Sequence, residues 1–513
     1  MDKTKRLKIV YTSDVHGQLS ATNFATNRNE MCGLSRLSSY LHQIEDEVLL
    51  LDNGDMLQGS PLLDFARLSM QTEHHPLPKV MNALGYDYYT IGNHDFNYGL
   101  NYLLQVTRQI NAKLLCANIT TKDHKPFFEP YAIYQTTSQL RVGIIGVVTQ
   151  YIPHWEKKEH IETLLFRDAY ETVNDLLPEV QKQADVIVVL YHGGYERNMQ
   201  TELPHGRLTD ENQGYRLSKI PGVHVLLTGH QHVPQVHTTT SGLTLQTGFN
   251  ASDFGEVIIE YDTTPSGIHI SSIQGKIVSN TLPENQDVLS ILEPYEQRVN
   301  HWLDQEIGST NIDFKIRNAL SARSKKHPLF QLINHIQLDY SKADISCASL
   351  PNHPPGFSEV ITRREIMANF VYPNTLFKIQ ITGHQLRAAL ERNAQYFDIV
   401  NQQLVVHHSY LHPKLEHYNY DVYDGIEYEM DIRQPFGSRI VSLKRNGRAI
   451  LNDDQFTLVL NNYRASGGGD FDMFQNATIV EEYDEALVSI ITNYIQQHHT
   501  VSLKMVDNYK VLY

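Results

Sequence analysis

Between residues 7 and 232 the chain repeats one device: a short apolar run, then a turn that in most cases carries Asp, Asn or His. The runs are "LKIVYTSD", "EVLLLDNGD", "YDYYTIGNHD", "LRVGIIGVVT", "ADVIVVLYHGG" and "VHVLLTGHQH". Several lack polar–apolar alternation, the pattern of strands buried on both faces. Helical spacing appears between them. Leu34, Leu37, Leu41 and Ile44 recur along one face of "GLSRLSSYLHQIED", and "PLPKVMNALGY" ends at Gly85, a helix-stopping residue. Strands alternating with helices predict an α/β layered domain.

A chain of 513 residues is too long for one core, so a second domain is expected. The texture changes from about residue 284. "PENQDVLSILEPYEQRVNHWLDQEIG" reads as a long helix interrupted at Pro294, followed by the polar, basic "FKIRNALSARSKKHP" and a helical "LFQLINHIQLDYSKA". Helical "TGHQLRAALERNAQYF" then mixes with strand-like "GIEYEMDI" and "QFTLVLNNY", an α+β pattern. The expected division is 1–310, a connection at 311–328, and a second domain at 329–513.

The net charge of −15 argues against a protein that coats nucleic acid, since phosphate backbones need a basic surface. No apolar stretch approaches the ~20 residues that span a bilayer, so no membrane partner is expected. The start, "MDKTKRLKIVYTSDVHG", lacks the cleavage pattern of a secretory signal, and no cell-wall anchor is read in the sequence. Cys32, Cys116 and Cys347 are odd in number and widely spaced, which suits reduced thiols rather than a disulfide framework. The expected location is the cytoplasm, and no protein partner is indicated.

The chemically informative residues share one position. Asp14 and His16, Asp55, Asn93 and His94, His192, and His230 and His232 each lie just beyond the end of an apolar run. In open α/β sheets ligands bind outside the carboxyl ends of the strands, so five separate loops can deliver these side chains to one place. Mixed imidazole and carboxylate ligands suit Zn, Mn, Fe, Co or Ni rather than Ca. A second cluster, "HHSYLHPKLEH", holds His407, His408, His412 and His417, but in a Pro-containing polar segment without metal-site spacing.

Taken in order, "DVHG", "NGDMLQGSPL", "GNHDFNYGL", "YHGG" and "TGHQH" resemble the signature of the calcineurin-like metallophosphoesterases. "YPNTLFKIQITG", "YDGIEYEMDIRQP" and "NNYRASGGGDF" resemble the C-terminal domain of the family's bacterial nucleotidase branch. Within that branch the closest likeness is to the 2′,3′-cyclic-nucleotide phosphodiesterase/3′-nucleotidases. The resemblance implies a four-layer αββα catalytic domain followed by a smaller α+β nucleotide-recognition domain. It implies two divalent metal ions (Mn, Zn, Co or Fe), one held by Asp14, His16, Asp55 and His232, the other by Asp55, Asn93, His192 and His230, with Asp55 bridging. It further implies in-line attack of metal-activated hydroxide on a nucleotide phosphoester, with His94 facing the phosphate.

Asn97 stands where 5′-nucleotidase relatives carry an Asp paired with the catalytic His; its amide oxygen is expected to accept the imidazole N–H, while Asp95 braces the loop. Tyr372 and Tyr463 are the implied clamp on the base, Asn374 a contact to its edge, and Asp470 a contact to the ribose. The Gly-rich segment with a basic residue found in 5′-nucleotidase relatives is replaced by "CASLPNHPPGF", so arginine contacts there do not transfer. The expected partner is a small nucleotide, not a nucleic-acid polymer. A superfamily nuclease, a nucleotide-sugar or dinucleotide pyrophosphatase, and a non-catalytic scaffold are the alternatives.

Overall fold

The structure, a computed structural model, describes residues 4–24, 26–70, 74–205, 208–264, 267–372, 374–412 and 414–513. Two compact units divide it, Met1–Asn300 and His301–Tyr513.

Two six-stranded sheets form the first unit. One runs Gly267–Ser279, Asp253–Thr264, Lys5–Thr12, Glu47–Asp52, Tyr88–Tyr89, Lys113–Leu114; the other runs Gln235–Thr238, Leu243–Gln246, Val225–Thr228, Val186–His192, Arg141–Val148, Tyr131–Gln135. In the first sheet the strands from Lys5–Thr12 to the edge Lys113–Leu114 are parallel and the other two pair antiparallel; in the second the four middle strands are parallel and an antiparallel strand finishes each edge. Period-two side-chain alternation explains the layering. Leu7, Ile9, Tyr11, Leu49 and Leu51 of the first sheet join Ile144, Val188, Leu190, Val225 and Leu227 of the second in one buried core. Ile145, Val147, Ile187, Val189 and Leu226, one residue out of phase, pack instead against Ala169, Val173, Leu177 and Val180 of the helix Ala169–Gln181. Both phases of these strands are buried, hence the unbroken apolar runs. The result is the expected four-layer αββα arrangement.

The helix Pro76–Leu84 stops where the sequence predicts, with Gly85 left-handed at φ 77°. The expected interruption at Pro294 does not occur: Gln286–Leu303 is one helix with Pro294 inside. Leu292, Tyr295, Val299 and Leu303 are buried along it, and this packing offsets the backbone hydrogen bond that proline removes.

The second unit is α+β. Its main sheet has the order Asp421–Asp424, Ile345–Ser349, Gln455–Asn461, Thr375–Thr382, Thr478–Ala486. The helix Pro328–Ser341 and the capping-box helix Gly383–Ala394 belong to the same unit, whose core includes Leu329, Ile333, Leu386 and Leu390. Glu306–Thr310 is already a strand here, paired with Val360–Thr362 and Thr500–Val501. The basic stretch read as a connection contains the helix Ala319–Ser324, and Phe314 and Arg323 within it are fully buried. Arg323 donates to the carbonyls of Ala319, Leu350, Pro351 and His417, so its charge is solvated by backbone inside this unit.

Candidate metal centre and its surroundings

Every candidate ligand of the first unit follows the carboxyl end of a parallel strand, or in the case of His192 is its last residue: Lys5–Thr12 precedes Asp14, Glu47–Asp52 precedes Asp55, and Val225–Thr228 precedes His230. The turns are tight enough to force non-glycine residues into left-handed backbone. Asp14, His16, Asp55, His230 and His232 have φ of 55°, 50°, 58°, 70° and 59°. Each costs on the order of 1–3 kcal/mol, and such strain collects where a surrounding structure enforces it for function. Asp95 supplies much of that enforcement, because its buried carboxylate accepts from the backbone N–H of Asp55, Met56, Leu57 and Gly92 at 2.8–3.0 Å. Gly92 must be glycine: a Cβ there would lie 2.1 Å from Asp55 Oδ1.

The donors converge in two groups, Asp14 with His16 and His232, and Asp55 with His192 and His230. These are the two such groups among the described residues, and the "HHSYLHPKLEH" histidines form none. The ring hydrogens are assigned by their partners. His16 Nδ1 donates to the Gln58 carbonyl at 2.9 Å and His192 Nδ1 to the Asn53 carbonyl at 2.7 Å, which turns both Nε2 lone pairs inward. His230 does the reverse, donating from Nε2 to Glu211 Oε1 at 3.0 Å and keeping its lone pair on Nδ1. His192 Nε2 then faces Asp55 Oδ2 at 3.2 Å and Asn93 Oδ1 at 3.3 Å, while His232 Nε2 faces Asp14 Oδ1 at 3.2 Å and His16 Nε2 at 3.1 Å. Acceptors gathered on acceptors call for positive charge among them.

The ionisation tendencies agree. Burial opposes charge on Asp55, yet His192 and His94 outweigh it and hold the carboxyl well below its usual range. Burial would lower His192, but Asp55 and Asp14 lift it to about 10, so the inward-facing Nε2 favours positive charge, as a proton or a cation. Asp14 is likewise held down by His232 and His192 against its burial. His16, pressed by burial and by His232, falls to about 4 and so stays a neutral lone-pair donor. Oxygen and neutral imidazole donors of this kind fit divalent transition-series cations.

His94 stands beside this centre, its backbone N–H donating to Asp55 Oδ1 at 2.7 Å and its Nδ1 to Asn97 Oδ1 at 2.8 Å. The expected His94–Asn97 contact is therefore present. Trp155 stacks on His230 and Phe249 on His232, with centroids 5.6 and 5.0 Å apart. Trp155, Phe249 and Glu211 carry no motif spacing, and the sequence offers no local signal for them.

In the second unit, Tyr372 is 46% exposed, which leaves ring surface within reach of solvent, and Pro373 beside it lies outside the described residues. Asn374 is half-buried, its carbonyl accepting from Leu487 N–H at 2.7 Å. Tyr463 is half-buried next to Tyr418, at 6.5 Å between centroids, and a Cβ on Gly468 would meet its ring at 2.6 Å. Asp470 is exposed and paired with Arg392 at 2.9 Å.

A four-layer fold with metal-type donors at its strand ends is equipped for metal-assisted hydrolysis, and comparisons with known proteins give the class. The calcineurin-like phosphoesterase profile matches residues 7–234, and the 5′-nucleotidase C-terminal domain profile matches residues 306–476. A solved Staphylococcus aureus chain, described as a candidate 5′-nucleotidase in complex with alpha-ketoglutarate, is 32% identical. It superposes with a TM-score of 0.89 over 99% of this chain and 100% of that one. The 2′,3′-cyclic-nucleotide 2′-phosphodiesterase/3′-nucleotidase of Salmonella typhimurium is 28% identical over 91% of this chain and 82% of its own length. The trifunctional nucleotide phosphoesterase YfkN of Bacillus subtilis is 26% identical over 98% of this chain, which spans 39% of that protein. The chain belongs to the calcineurin-like phosphoesterases that carry a C-terminal 5′-nucleotidase domain, hydrolases acting on phosphoric esters. The family implies divalent metal ions, and no helix among the described residues is long and apolar enough to cross a membrane.

Proposed function

We propose that this chain is a nucleotide phosphohydrolase with two divalent metal ions, acting on 2′,3′-cyclic nucleotides and on 3′- or 5′-nucleotides. The observation that carries the reading is the pair of converging donor groups, with the backbone N–H of His94 donating to Asp55, the carboxylate of one of them. Asp14, His16, Asp55 and His232 would hold one ion, and Asp55, Asn93, His192 and His230 the other. Divalent ions so held would supply Lewis-acid stabilisation of the phosphoryl oxygens and an acidified water at neutral pH.

The protein's own groups do the rest. His94 keeps one proton on Nδ1, donated to Asn97, and presents Nε2 to the phosphate; as the imidazolium it carries a second proton on Nε2, passes that one to the leaving alkoxide and returns to the neutral Nδ1–H ring, a role worth typically 10²–10⁴-fold. The strained turns hold the donors pre-oriented, so little reorganisation accompanies binding. Tyr372 and Tyr463 stack on the base for ~1–3 kcal/mol, Asn374 reads its edge, and Asp470 contacts the ribose. The names of the Salmonella and Bacillus relatives support a nucleotide as the substrate. A cytoplasmic location belongs to the same reading, supported by three free, buried cysteines, and cell fractionation tests it.

The deciding assay is turnover of 2′,3′-cyclic AMP, 3′-AMP, 5′-AMP, a nucleotide sugar and bis-(p-nitrophenyl) phosphate, each with Mn, Co, Zn and Mg. Metal-dependent hydrolysis of the nucleotides, lost in His94→Ala with metal content retained, is expected. Hydrolysis of the nitrophenyl ester with every nucleotide untouched would overturn the substrate assignment.

A further inference from the structure

Asn97 has a partner of its own. Its Nδ2 donates to Glu156 Oε2 at 2.8 Å, while Glu156 Oε1 accepts from Lys157 N–H at 2.9 Å and from His160 Nδ1 at 2.7 Å. The Glu156 side chain is 6% exposed, so this carboxylate is committed to these partners rather than to water. We propose that Glu156 is the positioning residue of His94, acting through the Asn97 amide. The proposal rests on the reading of His94 given above.

An amide has a donor end and an acceptor end, and a half-turn exchanges them. An ionised carboxylate only accepts, so Glu156 can face Nδ2 but not Oδ1, and it fixes which way Asn97 points. Oδ1 is thereby aimed at His94, where it in turn only accepts. The Nδ1 of His94 must carry hydrogen, and the ring lone pair falls on Nε2. A carboxylate at position 97 would do this directly. Here the negative charge sits one side chain further back, in the segment Tyr151–His160 whose Trp155 stacks on His230. The amide relays its orientation without bringing a charge onto the ring.

The arrangement dictates what an amide at position 156 would do. Lys157 N–H demands an oxygen at the Oε1 position, so Glu156→Gln places its NH₂ toward Asn97. Asn97 then turns over, its Nδ2 faces His94, and the imidazole hydrogen moves to Nε2. Asn97→Asp alone sets two carboxylates against each other across 2.8 Å. The double variant Asn97→Asp/Glu156→Gln restores an acceptor for His94 and a donor behind it.

The experiment is ¹⁵N NMR of histidine-labelled enzyme, with the His94 resonances identified by difference from His94→Ala, alongside kcat on bis-(p-nitrophenyl) phosphate and metal content. In wild type and the double variant the neutral form of His94 is expected to carry its hydrogen on Nδ1, and in Glu156→Gln on Nε2 with kcat reduced about tenfold or more at unchanged metal content. The double variant recovers to within about threefold of wild type, a coupling that independent structural defects would not produce. An unchanged Nδ1–H tautomer in Glu156→Gln, or a double variant no better than the worse single one, overturns the proposal. A switched tautomer with undiminished kcat would leave the positioning intact and refute instead the role of His94 in turnover.

Discussion

Arg464 offers the most quantitative test of the second unit. It is 1% exposed, and its guanidinium donates to Asp421 Oδ2 at 2.7 Å and Oδ1 at 3.3 Å, to the Gly468 carbonyl, and to the Tyr418 carbonyl at 3.3 Å. Its charge also lies 4.0 Å from the Phe471 ring centroid. This single side chain ties the strand Asp421–Asp424 to the Gly467–Gly469 loop, next to Tyr463, the residue proposed to stack on the base. Arg464→Met removes the cation paired directly with Asp421, which is 2% exposed, and leaves only the more remote charge of Arg392 acting on it. Orphaning one member of a buried ion pair costs about 3–5 kcal/mol. For a unit of this length ~1 kcal/mol moves the melting temperature by about 2–4 °C, so a fall of roughly 6–20 °C is expected by calorimetry at neutral pH.

The pH dependence supplies the sign. Burial raises the Asp421 carboxyl and Arg464 lowers it. Without Arg464 its folded pKa lies further above the unfolded value, so the variant regains stability as pH falls and the carboxyl protonates. Arg464→Met/Asp421→Leu should recover part of the loss but not all, since the Gly468 and Tyr418 carbonyls still lack their donor. A single variant melting within about 2 °C of wild type would refute the argument that this pair anchors the loop.

The first unit yields three further outcomes. Gly92→Ala should drive Asp55 from its place and cost about 10²-fold in kcat with loss of bound metal, since misplacement by 1 Å is enough; full activity would mean that Asp55 need not sit there. His75, pushed by burial down to about 3, is neutral when folded and protonates near 6.5 when unfolded, so its contribution is present above pH 6.5 and lost as pH falls toward 3. Urea titrations at pH 7.5 and 5 should show about 2 kcal/mol less acid loss in His75→Gln than in wild type, and equal losses would contradict it. Asp95→Ala leaves four backbone N–H groups without their acceptor, at about 1–3 kcal/mol for each one that finds no water, and should lower both melting temperature and metal occupancy.

The grouping of the candidate donors was legible in the sequence because parallel strands deliver the turns at their carboxyl ends to one edge of the sheet. Asp14, Asp55, His192 and His230 could therefore be grouped from residue type and strand position alone. Glu156, Glu211 and Trp155 could not, since they arrive from loops whose paths are set by tertiary packing and whose spacing encodes nothing local. The same limit explains the fold-level differences. Tyr88–Tyr89 is a two-residue strand inside a longer apolar run, because only that part finds neighbours to pair with. Pro294 reads as a break until the buried residues around it are known. The stretch 311–328 reads as a polar connection because its charges are visible, whereas the carbonyls that solvate Arg323 are up to 94 residues away in sequence.

The proposed function requires two metal ions, one at each donor group, with Asp55 between them. Anomalous diffraction at the manganese edge, on crystals of enzyme reconstituted with Mn and shown to be active, tests it directly. Two peaks are predicted, about 3.5–4 Å apart, one at Asp14, His16 and His232 and one at Asp55, His192 and His230, both lost in Asp55→Asn. A single peak, or peaks placed away from Asp55, in a fully active crystal would contradict it.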